Sequence, residues 1–413
     1  MRAPAVAGGG HPFKKGERVL FLSVLLWALL LVVIVPFARA ETAPESPSPV
    51  PGFDPGVPAA FLVDTGTGQV LYEKSADEKV SPASISKVMV LLLAMEAIEE
   101  GRAHLDDQVQ ISERAASMGG SQLYLAAGSS YTLQELLEML AIASANDATV
   151  AITEYLAGSE AVFVAAMNRR AKELGMKDTV FRDASGLPLA NGEENVSTAR
   201  DIARMSLELV RRFPKVLEWT SIWTKQFRPD LPVAVNTNRL IRRYPGADGL
   251  KTGHTEKAGY SVVATARRDD RRLLAVVLRA GSDQERLQAT TSLLDYGFNG
   301  FRQVLAVPAG KTVGRVRVAG GSPAQVEAAA PADIRVLLPR IASTRGVEEK
   351  LLPRQDLRAP LKKGDRVGEL VLFYDGSEIG RHPVVAATDV KRAGLLARLW
   401  QWLRDLIAGL FRG

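Results

Sequence analysis

Ser84 and Lys87 stand three residues apart at the head of a run that is apolar on nearly every face: Val88, Val90, Leu91, Leu92, Leu93, Met95 and Ile98. A helix of that kind is stable only inside a domain, so the segment must be threaded through a core. Val80-Ser81-Pro82-Ala83 supplies its start, with proline near the first turn, and Gly101 ends it. At this spacing the serine and lysine share one helix face, about one turn apart. A hydroxyl is a poor nucleophile without a neighbouring base, and Lys87 is within reach of the Ser84 proton. The position adds free backbone N–H groups and the positive end of the helix dipole, which favour developing negative charge.

Two later segments fit around this pair: Ser144-Ala145-Asn146 and Lys251-Thr252-Gly253. Singly each is commonplace. Ser–Lys pairs decorate solvated helices, Ser and Asn cap helices and make turns, and Lys-Thr-Gly suits any strand edge. Their order and context carry the weight. Composition removes the competing chemistries. The chain has no cysteine, so disulfides, thiol catalysis and cysteine-ligated metals are excluded. Its four histidines, His11, His104, His254 and His382, are scattered, which speaks against a zinc site or a Ser-His-Asp triad, and no G-x-S-x-G elbow occurs. The base is therefore expected to be Lys87. The net charge of +6 comes without the interleaved basic and aromatic motif of a nucleic-acid module. No nucleic-acid partner is expected; an anionic envelope surface suits the charge, with plain solubility as the alternative.

The termini describe a compartment. Lys14, Lys15 and Arg18 precede an apolar run from Val19 to Phe37, followed by Ala38-Arg39-Ala40. Residues 1–40 read as a secretory signal peptide, with an uncleaved anchor as the rival. Both place the remainder outside the cytoplasm, as the preceding positive charges require. Residues 41–56, with Pro44, Pro47, Pro49, Pro51 and Pro55, form an extended linker. At the other end, residues 389–413 place Leu395, Leu396, Leu399, Trp402, Leu403, Leu406, Ile407 and Leu410 on one helical face with basic flanks. This is an amphipathic helix expected to lie on a membrane surface, the alternative being a helix packed on the domain.

Between them, Ala59–Asp64 and Gln69–Lys74 read as a β-hairpin. Helical patterns follow over Leu133–Ala143, Asp147–Leu156, Glu160–Leu174 and Ala199–Val210, the last capped by Val196-Ser197-Thr198. Tyr260–Arg267 and Arg271–Arg279 form a central antiparallel hairpin across Arg268-Asp269-Asp270, and Thr290–Phe298 returns to helix. The expectation is an α+β catalytic domain over residues 57–300, an antiparallel sheet with helices. Residues 301–388 hold short runs, Val304–Val307, Thr312–Val318, Ala324–Ala329, Asp333–Leu338, Arg366–Tyr374 and Glu378–Val385, and read as a small all-β domain without chemistry of its own.

The ordered set S-x-x-K, S-x-N, K-T-G is the pattern of penicillin-recognising acyl-serine enzymes. The chain resembles the D-alanyl-D-alanine carboxypeptidases, the low-molecular-weight penicillin-binding proteins of the S11 serine peptidase type. The resemblance runs through Ala60–Asp64, Thr67–Tyr72, Pro82–Lys87, Ser144–Ala148, Ser185-Gly186-Leu187, Ser197–Asp201, Asn238-Arg239 and Asp248–Thr255. It implies a penicillin-binding/β-lactamase-like catalytic domain, a C-terminal β-domain and a terminal anchor. It also implies roles. Ser84 attacks the carbonyl of the penultimate D-alanine of a peptidoglycan stem peptide. Lys87, kept near neutrality by burial and neighbouring positive charge, accepts the proton. Ser144 relays a proton to the leaving amine, and Asn146 hydrogen-bonds the substrate amide and Lys87. The backbone N–H groups of Ser84 and His254 form the oxyanion hole, with Gly253 in the same strand edge. Lys251, Thr252, Arg286 and Arg239 serve the terminal carboxylate. No metal or organic cofactor is implied, and β-lactam antibiotics are expected as inhibitors. One departure, Asn195-Val196-Ser197-Thr198-Ala199 where many members carry Tyr-Ser-Thr-Ala, bears on fine substrate preference. The rivals are a class A-like β-lactamase, for which Glu193 and Glu194 stand too near Asn195 to form the deacylating E-x-x-x-N loop, and a catalytically silent cell-wall-binding scaffold. Oligomeric state is not legible in the sequence.

Overall fold

The computed structural model describes residues 52–394; the leader, most of the Pro- and Ser-rich segment and the apolar C-terminal pattern from Leu395 lie outside them. Strands β1 (Ala59–Asp64) and β2 (Val70–Lys74) form the expected hairpin. β3 (Ala247–Thr255), β4 (Gly259–Arg268) and β5 (Arg271–Ala280) complete a five-stranded antiparallel sheet of order β2-β1-β5-β4-β3. Successive side chains of a strand point to opposite faces, so a sheet covered on both sides needs apolar residues at every position. β1 meets that requirement with Ala-Ala-Phe-Leu-Val-Asp, all six buried. Ala59, Phe61 and Val63 enter one core, Ala60 and Leu62 the other.

The first core lies between the sheet and helices α1 (Lys87–Glu99), α2 (Leu133–Ala143), α3 (Asn146–Ala157), α4 (Glu160–Glu173) and α5 (Ala199–Arg212). α1 is buried from Lys87 to Leu92 without interruption. Each fully buried Leu, Val or Met in it contributes about 1.5–3 kcal/mol, enough to hold a serine and a lysine that water would otherwise claim. The helix ends follow from their capping chemistry. Thr132 and Glu135 form a reciprocal capping box on α2, and Thr198 accepts from Asp201 N on α5 at 3.1 Å.

The opposite face is covered by α6 (Asp283–Gly300). The helix begins seven residues before the expected Thr290, because Ser282 caps it by accepting from Glu285 N at 3.1 Å and its first turn is polar. The hairpin between β4 and β5 is also tighter than the three-residue link expected: Arg268 belongs to the strand, and Asp269 turns in the left-handed region at φ 52°.

Beyond α6 follow β6 (Phe301–Val307), β7 (Thr312–Arg317), β8 (Gln325–Ala329), β9 (Ile334–Pro339), β10 (Val347–Pro353), β11 (Arg366–Tyr374) and β12 (Ser377–Ala386). They pair as β7-β8-β12-β11-β10 and β6-β9 around a separate apolar core. β10 was not expected from the sequence. It is an edge strand, Val-Glu-Glu-Lys-Leu-Leu-Pro, with no buried residue, and therefore lacks an apolar alternation to reveal it. Gln69, in the β1–β2 turn, joins the two regions: its amide donates to Leu337 O at 2.7 Å and accepts from Leu337 N at 2.8 Å.

Candidate active site

Ser84 sits in a single 3₁₀ turn, Ala83–Ser86, that runs directly into α1. Lys87 is the first residue of the α-helix, and its Nζ lies 2.9 Å from Ser84 Oγ. Local spacing alone delivers this contact. The lysine is fully buried, and burial brings its pKa down to about 7. The sequence reading also credited neighbouring positive charge. That part is corrected: the charges felt at Lys87 are the carboxylates Asp183 and Asp147, and both work against the lowering. Cationic repulsion falls on Lys251 instead. It is held well below the ordinary lysine value by burial first, then by Lys87 and Arg286.

A loop from a distant part of the chain closes on the pair. Ser185 O accepts from Lys87 Nζ at 2.6 Å and from Ser84 Oγ at 3.2 Å. Gly186 stands so close that a Cβ on it would lie 2.0 Å from Ala83 O and 2.7 Å from Ser84 N, and its φ of 82° is left-handed. Only glycine fits this approach.

Ser144 and Asn146 flank the cleft from the α2–α3 junction. Ser144 is the C-cap of α2 at φ 61°, Asn146 the first residue of α3. Ser144 Oγ and Asn146 Oδ1 are buried and have no hydrogen-bond partner in the described residues. The expected Asn146–Lys87 hydrogen bond is corrected: Asn146 Nδ2 donates to Gly119 O at 2.7 Å, while Ser185 O takes the lysine proton. Buried polar atoms left unpaired are costly, so both are available to an external partner.

β3 forms the other wall. Gly253 is fixed by contact, since a Cβ there would meet Pro82 O at 2.5 Å and the Ala83 side chain at 3.2 Å. The strand edge thus runs against the turn that carries Ser84. Lys251 is buried, and its Nζ donates to Thr252 O at 2.9 Å. Thr252 Oγ1 hydrogen-bonds Thr237 Oγ1 at 2.7 Å. The His254 side chain is exposed and stacks at a tilt on Tyr260, ring centroids 4.1 Å apart.

The two arginines diverge. Arg286 is buried; it donates to Ser261 O at 3.2 Å and pairs with Asp283. Arg239 is largely exposed and reaches the other Asp283 oxygen at 3.0 Å. Both guanidinium groups therefore meet on one carboxylate, and neither contacts Thr252.

Sequence reasoning missed Thr237, Asp183 and Asn195. Thr237 is held between Asn236 and Asn238, whose side-chain amides donate to Thr220 O, Ile222 O and Gly249 O. Asn-x-Asn beside the quoted Asn238-Arg239 was the available signal. Asn195 Nδ2 donates to Ser86 Oγ at 2.8 Å and to Asp183 O at 3.1 Å, tying the Ser185 loop to the nucleophile's own turn.

Among the described residues no cluster of His, Asp and Glu is arranged to hold a metal ion. The arrangement supplies a hydroxyl with a buried amine at hydrogen-bond distance, a cationic wall, and unpaired polar atoms facing the cleft: the means for acyl transfer.

Comparison with known proteins agrees with that chemistry. Residues 54–282 match the peptidase S11 family, described as D-alanyl-D-alanine carboxypeptidase, and residues 301–392 match the penicillin-binding protein 5 C-terminal domain. The D-alanyl-D-alanine carboxypeptidase DacF of Bacillus subtilis is 37% identical over 387 residues, covering 93% of this chain and 98% of the relative. DacC of Escherichia coli is 33% identical, covering 89% and 92%. Among solved structures, penicillin binding protein 5 from Haemophilus influenzae superposes with a TM-score of 0.72 at 29% identity, over 83% of this chain and 100% of that one. The ampicillin-bound form of penicillin-binding protein D2 from Listeria monocytogenes gives 0.54 at 34% identity, over 59% and 97%.

Proposed function

We propose, for a chain that belongs to the D-alanyl-D-alanine carboxypeptidase family, that Ser84 is the acylating nucleophile and Lys87 its base. The enzyme is a serine-type hydrolase that removes the terminal D-alanine from peptidoglycan stem peptides. One observation carries the assignment of residues: a fully buried lysine, with its pKa near 7, lies 2.9 Å from a serine hydroxyl. At neutral pH a substantial fraction of such an amine is free to take a proton, which matches a general base to its task.

Ser84 Oγ bonds to the carbonyl carbon of the penultimate D-alanine as its proton passes to Lys87. The developing oxyanion is received by the N–H groups of Ser84 and His254. The contact of Gly253 with Pro82 supports this, because it keeps both segments side by side. The amide C–N bond then breaks, and the departing D-alanine amine takes its proton from the Lys87 ammonium through Ser144. Asn146 Oδ1 accepts from the substrate amide, which supplies the partner its buried oxygen lacks. Thr252 and Lys251, with Arg286 behind them, hold the terminal carboxylate; Arg239, exposed at the rim, adds long-range attraction. Water completes the cycle by hydrolysing the ester. β-Lactams acylate the same hydroxyl.

The division at residue 300 belongs to the same proposal, supported by the change at Phe301 from helix to an independent β core. The expected end of that region at residue 388 is corrected, because Val390 is buried in the core and Lys391–Arg392 pairs as a strand with Gly321–Ser322. The enzyme acts in the cell envelope, held on the outer face of the cytoplasmic membrane by the amphipathic pattern that begins at Leu395. The apolar and basic periodicity supports that placement, and deletion of residues 395–413, which spares Val390 in the β core and the strand Lys391–Arg392, should release the leader-processed protein from membranes.

The experiment is labelling with a fluorescent penicillin alongside D-alanine release from a stem pentapeptide. Wild type should show both, and Ser84→Ala neither. A folded Ser84→Ala variant that still labels would overturn the assignment.

A further inference from the structure

Asp183 is buried in the loop that closes on the nucleophile. Its Oδ2 accepts from Ser185 N at 2.9 Å, Gly186 N at 3.0 Å and Leu187 N at 3.3 Å, and also from Ser185 Oγ. Every hydrogen-bond partner in this nest is a donor, so the group supplied there must accept; burial raises the Asp183 pKa, and the hydrogen bond from Ser185 and the charge of Lys87 oppose that rise. The loop so gathered presents a single carbonyl, Ser185 O, to Lys87 and Ser84. Asn195 then fastens the Asp183 backbone to Ser86.

We propose that Asp183 is a positioning residue for acyl transfer, folding its loop so that the Ser185 carbonyl orients the Lys87 amine toward Ser84. This rests on the assignment of Lys87 as base. The reasoning is geometric. A neutral amine has one lone pair and two N–H bonds. Donating one proton to Ser185 O at 2.6 Å leaves the lone pair free to face Ser84 Oγ at 2.9 Å. After proton transfer the ammonium keeps the same acceptor, so one carbonyl serves both states without rearrangement. Asp183 also contributes charge. The groups that face Lys87 are Asp183 from the loop and Asp147 from α3, both favouring the ammonium, with Lys251 across the cleft from β3. Near Asp183 itself, Glu160 is the next carboxylate and is paired with Arg114. Asp147 is held separately, by Leu123 N and Leu125 N.

Two variants separate position from charge. In Asp183→Asn the amide oxygen can take the Oδ2 place and keep the loop N–H groups satisfied while the charge is lost. In Asp183→Ala both are lost. The measurement is the penicillin acylation rate of the full chain from pH 5 to pH 9, with thermal melting as a check of fold. Asp183→Ala should acylate about 10–100-fold more slowly at its optimum. Asp183→Asn should regain most of that rate, with its acid limb moved about one pH unit toward acid, because removal of a negative neighbour favours the free amine. A folded Asp183→Ala variant with wild-type rate and profile would overturn the proposal. If the alanine variant does not fold, the asparagine profile decides alone: an unshifted limb rejects the charge role, and a rate below one tenth of wild type rejects the replacement of position by the amide. Lys87→Ala is run in parallel. If it acylates normally, the base assignment has failed; if it is inactive while both Asp183 variants behave as wild type, only the role of Asp183 has failed.

Discussion

The catalytic region and the C-terminal β region are built from the same apolar residue types but treat polar groups in opposite ways. The sheet-and-helix region buries Lys87, Lys251, Asp147, Asn146, Asn195 and Arg286. Among the described residues beyond Gly300, the buried polar or charged set is Ser377. Ion pairs of the β region, such as Lys311–Glu349 and Arg381–Glu378, lie at the surface, where each is worth about 0–1 kcal/mol. Burying a charge is costly unless it is paired or neutralised. A region that carries such a cost holds its stability in reserve elsewhere, here in the unbroken apolar packing of α1 and β1. A region without it is organised for stability alone. Chemistry is therefore expected where the polar interior is, and mechanical roles where it is not.

Lys87→Ala tests that contrast most severely. Acylation should fall by roughly 10²–10⁴-fold, with thermal melting as the check that the variant stays folded after loss of a large buried side chain. In the wild type the rate should drop below pH about 7, as the Lys87 amine becomes protonated and cannot accept from Ser84. A flat profile from pH 5 to pH 9 would break the assignment. Leu370→Ala, in the fully buried heart of β11, should do the reverse. It should cost about 2–5 kcal/mol of stability by leaving a cavity, with the acylation rate of the folded fraction unchanged; a slower folded enzyme would mean that the two regions are coupled. Arg239→Ala should have the smallest effect, within about 1 kcal/mol in kcat/KM, and weaker still at high salt, since the side chain is exposed and shares Asp283 with Arg286. A larger loss would move Arg239 from the rim into direct contact with substrate.

Much of the architecture was legible because it is local. Leu133–Ala143 was delimited to the residue by its helical pattern, and the structure adds the Thr132 capping box at its start. α6 was only half found, although Ser282 and Glu285 spell a capping pattern, because its first turn carries no apolar periodicity. β10 left no alternating pattern, since Val347 and Leu351 are covered by the β core only in part and the charged run between them is exposed. In the site, the Ser84–Lys87 contact and the approach of Gly253 to Pro82 follow the quoted motifs. Ser185 O, the acceptor for Lys87, was invisible, since a backbone carbonyl has no sequence identity; Thr237, the partner of Thr252, was missed although the flanking Asn-x-Asn marked it.

By itself the sequence determined that a hydroxyl and an amine would meet, because three residues of helix bring Ser84 and Lys87 together wherever the chain is placed. It also determined that this turn would be interior, because α1 has no face that water would accept. The tertiary structure alone decided that the amine would be close to neutral, which acceptor it would face, and that Ser144 and Asn146 would be left unpaired beside it. Those outcomes depend on what loops and strands about a hundred residues away bring into contact. Burial and long-range apposition are properties of the assembled volume, and no spacing along the chain encodes them.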